Sequence, residues 1–241
     1  MVLRTFQKSL CIQIMSDILS IEDIKNAANG RLNVMTREFV NQGADDCITV
    51  EENERAFQRY RLRPRVFRDM SRIDTTTSLF GFQLKQPFGV GPASMQKLCH
   101  PEGELASSKA AARFDIPMGV STISTVSLED IIAVKPPRVP YFMQLYVFQD
   151  RETTIEMIKR AESAGYAGLI LTVDAPVHGR RRNEVRNKFR LPDHMWPANF
   201  AREDFKLPMT AENESQDSFK ERTLVKEKSS DVTKKQKGLN G

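Results

Sequence analysis

From Pro87 onward the chain alternates short apolar runs with helical patterns. The runs PFGVGPA, IPMGVST, YFMQLYV and GLILTVD centre on Val90, Val120, Leu145 and Leu171, about 25–30 residues apart. Between them lie EGELASSKAAARF, SLEDIIAV and RETTIEMIKRAESAG. Ser127 reads as a cap followed by Glu129 and Asp130 in a first turn, and Gly165 sits where a helix ends in the left-handed conformation. Four strand–helix units in succession predict a parallel sheet with helices outside it. Short, largely apolar strands predict burial on both faces, as in a β/α barrel. An open doubly wound sheet shares this pattern, but the first run leads into GPASMQK and not into a G-x-G-x-x-G turn.

Residues before Pro87 follow a different rhythm. Ser20-Ile-Glu-Asp23 is a helix start, LNVMTREFV is helical up to Gln42-Gly43, and EENERAF continues a small helical prelude. The stretch RLRPRVFRDMSRIDTTTSLFGFQL then alternates in an extended manner, with a hairpin turn expected at Phe80-Gly81. The chain therefore divides into 1–17, a presequence or gene-model extension; 18–86, the prelude and connection; 87–200, the strand–helix units; and 201–241, a polar tail. Residues 210–241 hold one aromatic and thirteen charged residues of nearly balanced sign, a composition expected to be disordered.

With 241 residues and 40% apolar content, one large domain is the expectation. No apolar run is long enough to span a bilayer. The net charge of +5 suits small anionic ligands. The basic runs RYRLRPRVFR and GRRR lack the broad aromatic-interleaved face of a nucleic-acid binder, so the first is expected to tie the connection to the globular body. Cys11, Cys47 and Cys99 are widely spaced, which predicts buried or half-buried free thiols and no disulfide or zinc framework. The compartment stays open between cytoplasm, peroxisome and mitochondrion.

The densest chemistry lies between Tyr141 and Phe189. Gln144 and Tyr146 are two apart, so they share one face of a strand, and Thr172 and Asp174 repeat that relation one strand later. A loop with three consecutive arginines, Arg180 to Arg182, follows. Polar groups at neighbouring strand ends can converge on one ligand.

REFVNQGADD, RLRPRVFRD, GPASMQK, HPEGELA, QLYV, LTVDAP and GRRRNEVRNKF together resemble the FMN-dependent α-hydroxy-acid oxidase/dehydrogenase family over roughly residues 18–200. That resemblance implies a TIM (β/α)8-barrel architecture, here the helical extension and about the first four βα units, with FMN at the barrel mouth. It implies oxidation of a 2-hydroxy acid to a 2-keto acid, with hydrogen passing to flavin N5 and then electrons to oxygen or a separate carrier. By the same resemblance Pro92, Ala93 and Ser94 pass along the flavin, while Thr122, Gln144 and Thr172 hydrogen-bond it. Tyr146 sits beside the substrate, Asp174 orients the network, and Arg181 forks onto the substrate carboxylate. Phe39 stands where glycolate-type members carry a tyrosine, and Ser94 where alanine is usual.

The resemblance also implies a flavin-facing lysine, a histidine base, a second arginine and a phosphate site, and none has a matching motif here. The available histidines are His100, His178 and His194; His178, three residues from Arg181, reads most simply as a solvated loop residue. The alternative function is a catalytically inactive truncated isoform, a half-barrel binding module or a gene-model fragment. Family members commonly form homo-oligomers, but this chain lacks much of the surface on which that depends, so a homo-oligomer stays an open alternative.

Overall fold

The computed structural model describes residues 18–174 and 179–201. The readings of 1–17 and of the tail beyond 201, and the position of His178, lie outside the described residues. The prelude comprises α1 (Ile21–Asn29), α2 (Val34–Asn41) and α3 (Ile48–Ala56). Ser20 caps α1 by accepting from the Asp23 amide at 3.2 Å, and the Asp23 carboxylate returns to the Leu19 amide at 2.9 Å. Asn33 caps α2 in the same way through the Thr36 amide.

The expected hairpin is present. Strands β1 (Thr77–Leu79) and β2 (Phe82–Leu84) pair antiparallel, with Phe80 and Gly81 at φ 49° and 84°. Two successive positive-φ residues give the turn whose twist matches paired strands. Phe80 meets Phe142 edge-on at 5.9 Å between ring centres.

The parallel sheet consists of β3 (Met118–Val120), β4 (Tyr141–Leu145) and β5 (Gly168–Leu171) in that order. The first expected strand is reduced to one bridge residue: the Val90 amide donates to Pro117 O, and Val90 O accepts from Gly119, each at 2.8 Å. Pro87 and Pro92 flank it and have no N–H to extend a ladder. Helices α4 (Glu104–Arg113), α5 (Leu128–Ala133) and α6 (Arg151–Ala164) follow the first three strand positions. Asp150 caps α6 at one end and Gly165, at φ 88°, closes the other. Where a loop carrying three arginines was expected, Arg182 instead opens the short helix α7 (Arg182–Asn187).

Alternation along β4 sets the layers. Tyr141, Met143 and Leu145 point to the helices and are buried with Met118, Val120, Ala111, Leu128, Ile131, Met157 and Ala161. The Tyr141 hydroxyl donates to Ser108 O on α4 at 3.0 Å, which satisfies the one polar atom this face buries. Phe142 and Gln144 point to the opposite, inner face. Burial fails at β5. Leu169, Ile170 and Leu171 are 45%, 38% and 50% exposed, because no strand pairs with the free edge of β5 among the described residues. The connection also departs from expectation: Leu62, Val66 and Phe67 are exposed, and Arg59, Arg63, Arg65, Arg68 and Arg72 lie exposed beside them and do not tie the segment down. Cys47 is half-buried, whereas Cys99 is exposed.

Gly119 lies on the inner face of β3, and a Cβ there would meet Pro92 Cδ at 2.8 Å and Pro92 N at 3.1 Å. This close approach seats the Pro92–Ser94 segment over the strand. Gly119→Ala should therefore cost about 1–3 kcal/mol in denaturant unfolding, as overpacking does. An unchanged midpoint would show that the segment is free to move away.

Candidate functional site

At the C-terminal ends of the three strands, one amide joins all of them. The Thr122 amide donates to Gln144 Oε1 at 3.0 Å, and Gln144 Nε2 donates to Thr172 Oγ1 at 2.8 Å. The Thr122 hydroxyl donates to Gln144 O, and the Thr172 amide to Leu145 O at 3.0 Å. Thr122 is fully buried and Gln144 nearly so. A backbone N–H can only donate, so Gln144 Oε1 faces β3 and its NH2 faces β5. The second Nε2 hydrogen is directed toward Tyr146, so the Thr172 hydroxyl hydrogen is the one left to offer to a ligand. The site therefore presents a donor.

Tyr146 lies one residue beyond β4 and packs edge-on against Phe148 at 6.4 Å. Burial first, and the negative charge of Asp174 second, push its hydroxyl above the usual phenol range, while a hydrogen bond from Gln144 opposes them. Tyr146, Asp174 and Gln144 thus share one electrostatic neighbourhood. Across β3, Ser94 Oγ and Ser121 Oγ are 3.1 Å apart, and Ala93 O accepts from Gln96 Nε2 at 3.1 Å. Pro92 is held over Gly119, on the inner face.

Two residues that sequence reasoning missed hold these loops. Glu104, 1% exposed, accepts from the Gln96 and Thr125 amides at 3.0 Å each and from the Thr125 hydroxyl at 2.7 Å. It ties the loop carrying Ser94 to the loop carrying Thr122. In the sequence Glu104 looks like any acidic residue in a helix's first turn. Asn199 is the second: its amide donates to Thr122 O and Ser124 Oγ, each at 3.0 Å, and accepts from the Leu128 amide at 2.9 Å. No local pattern marks it, because all three partners lie more than seventy residues away in sequence.

Arg181 and Phe39 form a second group. Phe39 stacks on Phe189 at 4.5 Å with the rings 6° from parallel, and the Arg181 guanidinium carbon lies 5.2 Å from the Phe39 ring centre. Arg181 Nη2 donates to Phe39 O at 3.1 Å and Gln42 O at 3.0 Å, while Nη1 pairs with Glu184. The guanidinium expected to fork onto a substrate is thus anchored to the end of α2. Glu184 is 5% exposed; burial raises its carboxyl from an ordinary 4.5 to about 7, and Arg181 opposes the rise. Arg182 completes the docking through Asp46 at 2.7 Å and Asp45 at 3.5 Å.

The sequence and the fold resemble those of known proteins. A family model described as FMN-dependent dehydrogenase matches residues 28–237. The chain belongs to the FMN-dependent dehydrogenase family. It is 44% identical over 176 residues to Oxidase FUB9 of Fusarium oxysporum f. sp. lycopersici, covering 73% of this chain and 46% of that protein. Glycolate oxidase 1 of Zea mays is 39% identical over 186 residues, covering 77% of this chain and 50% of its own length. The solved structure of mandelate oxidase with (S)-4-hydroxymandelic acid superposes with a TM-score of 0.72 at 36% identity, covering 76% of this chain and 51% of the other. The described strands and helices are thus part of a β/α-barrel fold, and the chain spans about half the length of the curated relatives it matches. No helix among the described residues is long and apolar enough to cross a membrane.

Glu104→Leu should destabilise the chain by roughly 3 kcal/mol, since two buried donors on Thr125 and the part-buried Gln96 amide lose their acceptor at about 1–3 kcal/mol each. Chemical unfolding measures this. A loss below about 1 kcal/mol would mean that water reaches those donors freely.

Proposed function

We propose that this chain forms the flavin-ring face and part of the substrate face of an FMN-dependent oxidase of 2-hydroxy acids, yielding 2-keto acids. The observation that carries this reading is the Thr122–Gln144–Thr172 relay across three neighbouring strand ends. Its donors, the Gln144 hydrogen shared with Tyr146 and the Thr172 hydroxyl, fit the acceptor-rich pyrimidine edge of FMN. Pro92, Ala93 and Ser94 would lie along the ring, with Thr122 setting the orientation of Gln144. When bound, FMN supplies the two-electron acceptor for the substrate's α-hydrogen.

The remaining chemistry belongs to side chains. Tyr146 stays protonated at neutral pH, because burial and Asp174 both oppose its ionisation, so it serves as a donor to the substrate. Arg181 would take the substrate carboxylate, and Phe39 would make that neighbourhood apolar on one side. Glycolate and 4-hydroxymandelic acid, named with the relatives, are both 2-hydroxy acids, which supports the substrate class. Oxygen or a separate electron carrier would reoxidise the flavin.

A second reading is favoured by one feature, the exposed β5 edge with apolar side chains on both faces. It makes the chain a half-barrel binding module that joins another polypeptide without turning over substrate. Reduction of bound FMN by a 2-hydroxy acid separates the two, since only the oxidase reading predicts bleaching.

The direct test is FMN retention followed by visible absorption. Wild type is expected to retain FMN, and Gln144→Leu to weaken retention about tenfold or more, as loss of a buried hydrogen-bonding group does. Equal retention by both would remove Gln144 from the flavin site.

A further inference from the structure

Two buried acceptors without partners lie on one face of α7: Glu184 Oε2 and Asn187 Oδ1. They belong to residues three apart in a helix, which places them side by side. Orphaned buried acceptors are uncommon, and a pair of them invites a shared hydrogen. A proton on Glu184 Oε2 would turn one of these two acceptors into a donor for the other. The other Asn187 group is committed: Nδ2 donates to Glu38 Oε2 at 2.6 Å. On its far side, Glu184 Oε1 takes Nη1 of Arg181.

We propose that Glu184 is a positioning residue that fills, with its own carboxylate, the edge of the Arg181 fork needed by an incoming ligand carboxylate, and that it takes up one proton from solvent as the ligand displaces it. The exchange balances. Before it, Arg181 faces one carboxylate, that of Glu184. After it, Arg181 faces the ligand carboxylate, and Glu184 is a neutral acid hydrogen-bonded to Asn187. The inference rests on the reading of Arg181 as the carboxylate contact.

The surroundings fit this role. Arg37 and Glu38 lie on α2, and Glu38 reaches Asn187. Asp45 and Asp46 hold Arg182, and the Asp45 amide donates to Arg180 O at 2.9 Å. Arg186 and Lys188 complete the charged groups of the segment, with Arg186 donating to Asn183 Oδ1 at 2.9 Å. Arg181 keeps its contacts to Phe39 O, Gln42 O and the Phe39 ring when Glu184 is neutral. The guanidinium therefore remains in place for the ligand. Burial already raises the Glu184 carboxyl to about 7, so the exchange falls near neutral pH. Because this folded value lies above the ordinary one, the stabilising effect of burying the neutral acid is complete below about 4.5 and lost as pH rises through about 7.

The test uses the full chain and oxalate as the carboxylate probe. Carbon-13 NMR of the Glu184 carboxyl is followed from pH 5 to 9 with and without oxalate, in wild type and in Asn187→Leu. The expected midpoint is near 7, lower in Asn187→Leu and higher with oxalate bound. Oxalate affinity should weaken about tenfold from pH 7.5 to 8.5, the slope of one coupled proton, and Glu184→Gln should flatten that dependence. A Glu184 carboxyl titrating in the ordinary range, or oxalate binding with no pH slope, overturns the inference. Failure of oxalate to bind at any pH overturns the reading of Arg181 beneath it.

Discussion

The strand ends are organised by the direction of a single amide. Gln144 is buried on the inner face of β4 because alternation places Tyr141, Met143 and Leu145 on the helix side. Burial there demands partners, and the Thr122 N–H can only donate, so Gln144 Oε1 must turn toward β3. Everything else at the tips follows. Nε2 turns to Thr172 and Tyr146, the Thr172 oxygen becomes an acceptor, and the Thr172 hydroxyl keeps a hydrogen to donate. A low-dielectric setting strengthens these bonds and makes any misorientation costly. Glu104 and Asn199 act through the same chain, since they hold the loops on which Ser94 and Thr122 ride.

The arginine group obeys a different constraint. Arg181 is placed by the prelude, through two carbonyls at the end of α2 and the face of Phe39, itself stacked on Phe189. Helix α2 and the turn after it thereby become part of the candidate site. A planar, always-charged guanidinium suits this double task, since its fork can serve carbonyls on one edge and a carboxylate on the other. Glu184 stands on that second edge.

Much of this was legible in the chain, for local reasons. The caps at Ser20 and Ser127, the Phe80-Gly81 turn and the Gly165 stop depend on residues within a few positions. The face shared by Gln144 and Thr172 with their neighbours follows from strand alternation alone. What escaped depends on distance or on competition. The first strand shrank to Val90 because prolines withhold donors. Arg180 and Arg181 stay in the expected loop, but Arg182 enters a helix and pairs with Asp45 and Asp46, more than 130 residues earlier. Glu104 and Asn199 carry no local signature of their roles. Apolar β5 reads as buried, yet exposure depends on whether a neighbouring strand is present.

The most direct test of the central claim is nitrogen-15 NMR of the Gln144 side-chain amide during FMN titration of the full chain. The account predicts that the two Nε2 hydrogens respond unequally. The one bonded to Thr172 should hold its position, and the other should shift as it turns from Tyr146 to the flavin. Unchanged signals for both hydrogens, at FMN concentrations that saturate the chain, would contradict the claim that this amide faces the cofactor.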